Sequence, residues 1–306
     1  MPLRAIYDLP APAKLNRFLH IVGRRPDGYH LLESVFVLID WADTLHVERR
    51  DDRRLHRHDL GPALPAFDLC LRAARALQLA SGCAHGADIS IDKQVPWGAG
   101  MGGGSSDAAT TLLALNRLWG LNWPRARLAQ IGLTLGADVP FFLGGHDAFV
   151  QGIGEQLTPM QVPPSRYAVV KPPASIATRD IFEHPRLARD TETVIFAGCF
   201  CSAKFGKAGF VSWPVEWGAS FGKNDLQPPA EDRCPEVAQA VRWLQARYGN
   251  SRMTGSGSAV FATVTEGDGM ANSSMATFPA EELPPDWVGR LCRSLPAHPL
   301  GGWSAD

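Results

Sequence analysis

The stretch "WGAGMGGGSSDAA", Trp97 to Ala109, constrains this chain more than any other. Five glycines fall between Gly98 and Gly104, and two serines follow. Glycine backbone can approach an anion closely and point successive N–H groups at it. Downstream, Ala108, Ala109, Leu112, Leu113 and Leu115 carry helical spacing, and Gly120 is expected to end that helix. A helix N-terminus exposes unpaired N–H groups and a partial positive charge. Ser105 or Ser106 is the expected N-cap. A glycine loop running into a helix start is the chemistry of a phosphate site.

Several phosphate-binding loops share these ingredients. Gly98, Gly100 and Gly103 match G-x-G-x-x-G, but a dinucleotide fingerprint needs a strand running straight into the glycines and an acid about 20 residues later. Here Pro96 and Trp97 intervene after the strand-like "ADISID", and the downstream "RLWGLNWPRA" holds no Asp or Glu. A Walker loop needs a lysine, and this loop has none. The V-A-I-K, H-R-D and D-F-G signatures of protein kinases are absent. The remaining alternative is a flexible loop without a ligand.

The chain has 306 residues, enough for a large core and for two domains. Its formal net charge is −1, which disfavours nucleic acid or an anionic membrane as partner. The run "RRDDRRLHRH", Arg49 to His58, mixes both signs and reads as a solvated loop or hairpin. The six cysteines, among them Cys199 and Cys201 in "CFC", have neither zinc-site nor disulfide-framework spacing. No secretory or membrane-spanning segment is apparent. A cytoplasmic protein, a monomer or weak homodimer with no nucleic-acid or membrane partner, is expected. Arginine outnumbers lysine 24 to 6, so each lysine is informative, and none lies between Lys93 and Lys171.

"FLHIV" and "SVFVLI" read as strands joined by the turn "PDGY". "DLCLRAARALQLA", from Asp68, and "RARLAQIGLTLG" read as helices, and "DAFVQGIG" as a strand. Prolines cluster between Met160 and Ser175, giving candidate domains 1–160 and 161–306. The second half offers a strand at "YAVVKP", a helix at "CPEVAQAVRWLQARYG" and a second glycine turn in "TGSGSAVFATV". Residues 266–287 read as a polar loop, and "VGRLCRSLP" as a last helix.

The pattern from Pro96 to Ala109 resembles the phosphate loop of the GHMP kinases, the family of galactokinase, homoserine kinase and mevalonate kinase. "PAKLNRFLHIVGRRPDGYHLLESVF", "LGADVPFFLGG", "FGKNDLQP" and "MTGSGSAVFA" resemble further motifs of that family, in order, from about Lys14 to Ala262. The resemblance implies an α+β, two-domain GHMP kinase fold with the active site in the interdomain cleft. It also implies ATP with Mg2+, held at Pro96, Trp97, Gly98, Ala99, Gly100, Met101, Gly102, Gly103, Gly104, Ser105 and Ser106, with Ser106 as candidate metal ligand. Met101 stands where leucine is usual, a volume-conserving change. Asp68 stands where asparagine is common, beside the expected adenine pocket.

By the same resemblance Asp138 is the base that takes the proton of the substrate hydroxyl, and Lys14 supports it. Without the resemblance Asp138 reads as a capping residue and Lys14 as a strand-edge lysine. Asn16 shares a strand face with Lys14 and is placed at the same site. Tyr29, His30, Thr178 and Phe182 are expected to bind a pyrimidine, the aromatic rings by stacking and His30 at the base edge; core packing is their alternative reading. Gly255 and Gly257 are expected to form a tight turn near the phosphates or the substrate. The implied activity is ATP-dependent phosphorylation of the 2-hydroxyl of 4-(cytidine 5′-diphospho)-2-C-methyl-D-erythritol, in the non-mevalonate route to isoprenoid precursors. The alternatives are a different small-molecule GHMP kinase or a catalytically inactive nucleotide-binding protein.

Overall fold

The computed structural model describes residues 3–65, 68–194, 210–214, 216–265 and 278–305. Cys199, Cys201 and residues 266–277 of the polar loop lie outside the described residues. In chain order the N-terminal half contains β1 (Ala5–Arg24), β2 (His30–Arg50), β3 (Leu55–Asp59), α1 (Leu69–Ser81), β4 (Gly86–Asp92) and α2 (Gly103–Leu118). It continues with α3 (Arg125–Leu135), α4 (Val139–Gly144), β5 (Ala148–Gln151) and β6 (Gln156–Gln161). The second half contains β7 (Arg166–Lys171), α5 (Thr178–Phe182), β8 (Val211–Ser212), α6 (Gln227–Arg233), α7 (Pro235–Tyr248), β9 (Arg252–Met253), β10 (Val260–Val264) and β11 (Val288–Arg293).

The first sheet runs β3-β4-β2-β5-β6-β8, with β1 paired to β2; the second runs β11-β7-β10-β9. Three apolar cores result. One lies between the first sheet and α1 to α4, with Leu45, Val47, Leu112 and Phe142 in it. A second, with Leu15, Val37, Tyr167 and Phe261, fills the space between the sheets. The third packs α6 and α7 on the second sheet through Ala230, Val237, Leu244 and Val260. β1 threads all three, contributing Leu9 to the first, Leu15 to the second and Ile21 to the third. That explains its nearly unbroken burial, unlike a strand with one wet face. The prolines Pro10 and Pro12 are tolerated because β1 has a single strand partner and shifts register just past Pro12.

Two expectations are corrected. "VGRLCRSLP" contains a strand, not a helix: β11 pairs antiparallel with β7 from Val288↔Lys171 to Arg293↔Arg166. Only the docked sheet edge supplies backbone partners for so short a segment, and Cys292 is buried beneath it. The run from Arg49 to His58 forms no hairpin: it turns through Asp52, held by Arg50, and β3 then adds parallel to β4. The halves also interlock. β8 pairs with β6 of the first sheet, and Leu300 and Trp303 pack into the first core. Among the described residues no helix is long and apolar enough to cross a membrane.

Candidate active site

The loop between β4 and α2 lines a cavity of about 450 Å3 with Pro96, Trp97 and every residue from Gly98 to Ser105. Gly98, Gly100 and Gly102 all take positive φ, at 61°, 70° and 70°. Gly102 is fixed twice over: a Cβ there would lie 3.0 Å from the Phe142 ring and 3.2 Å from Lys14 Cγ. The helix starts earlier than expected. Gly102 is the N-cap of α2 and no side chain caps it, so neither Ser105 nor Ser106 does. The left-handed glycine makes the turn that a serine cap would have made. Ser106 N donates to Gly102 O at 2.9 Å, so the N–H groups of Gly103, Gly104 and Ser105 precede the first intrahelical bond and face an anion-sized opening. Ser105 lines the cavity, whereas Ser106 is fully buried and its Oγ has no partner among the described residues.

The second glycine turn clasps this loop from the other sheet. Ser258 N donates to Gly98 O at 3.1 Å, and Ala259 N to Ala99 O at 3.2 Å. A Cβ on Gly255 would come within 2.6 Å of Gly100 O, so the two backbones touch. Gly257 reaches the cavity wall. Asn224, within "FGKNDLQP", donates from Nδ2 to Met253 O and Gly255 O, both at 2.8 Å. Thr178 Oγ1 and Ser256 Oγ share a hydrogen bond of 2.8 Å, and both residues line the cavity. The structure therefore places Thr178 with the glycine loops.

On the other side of the loop stand Lys14 and Asp138. Lys14 N donates to Met101 O at 2.9 Å, which ties β1 to the loop. Its Nζ lies 3.6 Å from Asp138 Oδ2, 2.5 Å from Asn16 Oδ1 and 4.3 Å from the centre of the Phe36 ring. Burial lowers the Lys14 pKa, and the Asp138 charge works against that. The Lys14 side chain is 4% accessible and that of Asp138 29%. Asp138 sits at the N-cap position of α4 yet makes no capping bond, so its carboxylate stays open to a ligand. Asn16 Nδ2 donates to Ser34 Oγ at 2.9 Å, and Asn16 N donates to Thr254 Oγ1 at 2.9 Å, which also ties β1 to the second glycine turn.

Sequence reasoning missed a second buried lysine. Lys93 donates to Asp107 Oδ2 at 2.6 Å and also pairs with Asp43. Asp43 Oδ1 in turn accepts from Gln94 N and Val95 N, at 2.6 and 2.7 Å. Lys93 lines the cavity, and a Cβ on Gly103 would meet its Nζ at 3.1 Å. Burial disfavours its charge, but Asp107 and Asp43 together outweigh burial and raise its pKa. Burial likewise pushes the Asp107 carboxyl well above the usual carboxylate range. Lys93's position just ahead of a lysine-free loop, in a lysine-poor chain, was the available signal. Asp68 also lines the cavity, but its carboxylate caps α1 by accepting from Leu71 N at 3.0 Å and pairs with Arg57.

The residues expected around a pyrimidine are partly assembled. His30 stacks on Phe182, with ring centres 5.1 Å apart and planes at 24°. Arg189, which sequence reasoning did not single out, donates from Nε to His30 Nε2 at 3.3 Å. Burial and the Arg189 charge lower the His30 pKa, favouring a neutral ring. Tyr29 is 60% exposed on the turn before β2. An aromatic ring so exposed beside a stacked pair leaves a surface for a flat base.

Residues 68–146 match the model of the GHMP kinases N terminal domain, and residues 208–271 that of the GHMP kinases C terminal domain. The chain is 59% identical, over 99% of its length and all of the relative's, to a 4-diphosphocytidyl-2-C-methyl-D-erythritol kinase of Methylibium petroleiphilum. A protein of the same name from Paracidovorax citrulli is 54% identical, with 99% of each chain covered. Among solved structures, a 4-(cytidine 5′-diphospho)-2C-methyl-D-erythritol kinase superposes with a TM-score of 0.72 at 32% identity, covering 93% of this chain and 98% of that one. The mevalonate kinase of Methanococcus jannaschii, at 14% identity and a TM-score of 0.63 over 95% of this chain and 98% of its own, shares the fold. With the loop, the second glycine turn and the Lys14–Asp138 pair in place, the chain belongs to the 4-diphosphocytidyl-2-C-methyl-D-erythritol kinases of the GHMP kinase family.

Proposed function

We propose that this chain transfers the γ-phosphoryl group of ATP to the 2-hydroxyl of 4-(cytidine 5′-diphospho)-2-C-methyl-D-erythritol, a step toward isoprenoid precursors. The single observation that carries the chemistry is the Lys14–Asp138 pair, 3.6 Å apart beside the glycine loop. Asp138 takes the hydroxyl proton, the freed oxygen bonds to the γ-phosphorus, and the bond to the β-phosphate breaks to release ADP. Lys14, beside it, holds the Asp138 carboxylate in place and offsets charge on the phosphoryl group. The N–H groups of Gly103, Gly104 and Ser105 hold the phosphates, which requires no lysine in the loop. The second glycine turn, with Gly255 and Gly257, fixes the loop's shape from behind. Tyr29, His30 and Phe182 hold the cytosine, and Asn16 supports the acceptor side of Lys14.

Magnesium fits here as an ion held mainly by phosphate oxygens, since the described residues contain no group of three or more His, Cys, Asp or Glu that would bind it. Ser106, whose buried Oγ has no partner among the described residues, would be the protein oxygen closest to this role. When bound, the ion supplies charge neutralisation for the leaving diphosphate. We place the domain boundary near residue 160, between β6 and β7, with β8, Leu300 and Trp303 returning to the first unit. The net charge of −1 supports a small-molecule substrate rather than nucleic acid, for a cytoplasmic monomer or weak homodimer.

The test is turnover. Purified protein with ATP, magnesium and the cytidylyl substrate should release ADP stoichiometrically with phosphorylated product. Turnover of homoserine or mevalonate in its place would assign it to another GHMP activity, and no turnover of any would leave a nucleotide-binding protein.

A further inference from the structure

The stacked rings of His30 and Phe182 are joined by a third residue to which the pyrimidine reading gives no role. Arg189 lies past the end of α5, and its guanidinium is seated on main-chain carbonyls. Nη2 donates to Phe182 O and His184 O, both at 3.2 Å, and Nη1 donates to Leu187 O at 3.0 Å. These carbonyls belong to the end of α5 and the segment after it, where a helix leaves acceptors for a basic side chain. With its fork held there, Arg189 Nε reaches His30 Nε2 at 3.3 Å. One guanidinium therefore grips both members of the stack, Phe182 by its main chain and His30 by its ring.

An arginine side chain only donates and does not lose its proton. The His30 nitrogen that meets it must therefore accept, so Nε2 carries no hydrogen. Burial, then the Arg189 and Arg24 charges, lowers the His30 pKa, which leaves the ring neutral at neutral pH. A neutral imidazole has one N–H, and the bond at Nε2 puts it on Nδ1. His30 opens β2 beside the exposed Tyr29, where the base is proposed to bind.

The two common pyrimidines differ in what this donor would meet. Cytosine N3 is a hydrogen-bond acceptor, whereas uracil N3 carries a hydrogen. A histidine free to exchange tautomers serves either base, donating to the first and accepting from the second. A histidine held as an Nδ1 donor serves only cytosine, because against uracil N3 two N–H groups oppose each other. Discrimination built on an opposed polar group exceeds what the shape of two near-isosteric rings provides.

We propose that Arg189 is a positioning residue that fixes His30 as a donor at Nδ1 and so makes the pocket select a cytidine over a uridine diphosphate. The proposal rests on the reading that Tyr29, His30 and Phe182 hold the base. Arg189 acts through the His30 ring and not by touching the base.

Two measurements on the full chain test it, with the ATP loop saturated by a non-hydrolysable ATP analogue. The first is long-range proton–nitrogen NMR of the imidazoles, with His30 identified by its loss in His30→Gln. Before any pyrimidine is added, the ring should be neutral and protonated at Nδ1. In Arg189→Met the proton should move toward Nε2, the form that free histidine prefers. The second is calorimetric titration, in which cytidine diphosphate should bind at least about tenfold tighter than uridine diphosphate. Arg189→Met should bring the two within about threefold of each other, because the ring can then switch to accept from uracil. Phe182→Leu should weaken both and leave their ratio unchanged, since stacking serves either base; this contrast separates the tautomer from simple damage to the pocket. A ring protonated at Nε2 in the unmodified chain, or an undiminished ratio in Arg189→Met, would overturn the role of Arg189 and leave the kinase reading standing. Failure of the unmodified chain to bind cytidine diphosphate would overturn the base pocket itself, and this selection with it.

Discussion

Two buried lysines flank the same glycine loop, and they live in opposite electrostatic settings. Lys93 sits between Asp43 and Asp107, whose carboxylates overcome burial and raise its pKa. Lys14 has one carboxylate at 3.6 Å, partly open to solvent, and burial prevails, lowering its pKa. A cation held by two buried acids is locked, since moving it would strand their charges. A cation paired with one accessible acid is free to respond when that acid gains a proton. Lys93 therefore fixes the start of α2 and the strand end before the loop, while Lys14 is the lysine we propose for the reaction.

The largest effect expected on this contrast is at Asp138. Asp138→Asn should lower kcat by about 100- to 10,000-fold with ATP affinity retained, as loss of a general base does. Steady-state turnover at normal levels would remove Asp138 from that role. Next is Lys93→Met, which leaves Asp43 and Asp107 buried with no cation; denaturant unfolding should show a loss of about 3–5 kcal/mol. Stability unchanged by that substitution would mean the triad is no lock. Lys14→Met should do the reverse, with kcat falling about 100-fold and stability within about 1 kcal/mol. If it unfolds the chain as Lys93→Met does, the contrast collapses.

Gly102→Ala tests the geometry between the two lysines. Its φ of 70° and the crowding by Phe142 and Lys14 predict a loss of about 1–2 kcal/mol in thermal unfolding, with reduced kcat. The smallest effect is on pH dependence. Because the Lys14 pKa is lowered, the alkaline fall in kcat should begin below 10.5, the ordinary lysine value. In Asp138→Asn any residual activity should fall at still lower pH, since the raising influence of Asp138 is gone. For stability the sign is set by protons bound: between its folded value and 10.5 the folded chain holds fewer at Lys14 than the unfolded chain does. Its contribution therefore rises with pH across that interval, and Lys14→Met should remove that slope.

Local patterns made much of the site readable. The glycine loop, the helix α2 and the strand carrying Lys14 and Asn16 all follow from residue type and spacing, which act over a few neighbours. The loop's role in the family, and Asp138 with it, came through resemblance of ordered motifs. The helix start was misplaced because serine is a good cap in general, and only the observed φ of Gly102 shows that the turn is made three residues before Ser105. β11 was misread because a short apolar-polar segment takes its backbone partners from whichever edge it meets. Lys93 was visible as a rare residue, but its two acids come from β2 and α2, far apart in the chain.

By itself the sequence determined that this chain makes a lysine-free glycine loop running into a helix, because residue spacing and glycine freedom are properties of consecutive residues. It also supplied the motifs that place the chain in its kinase family. Only the tertiary structure decided that Lys93 is held between two carboxylates while Lys14 faces one that is partly open to solvent. Both are lysines in apolar surroundings, and what separates them is the number and exposure of carboxylates brought within a few ångströms. Coulomb energies depend on those through-space distances and on burial, and neither is written in the order of residues along the chain.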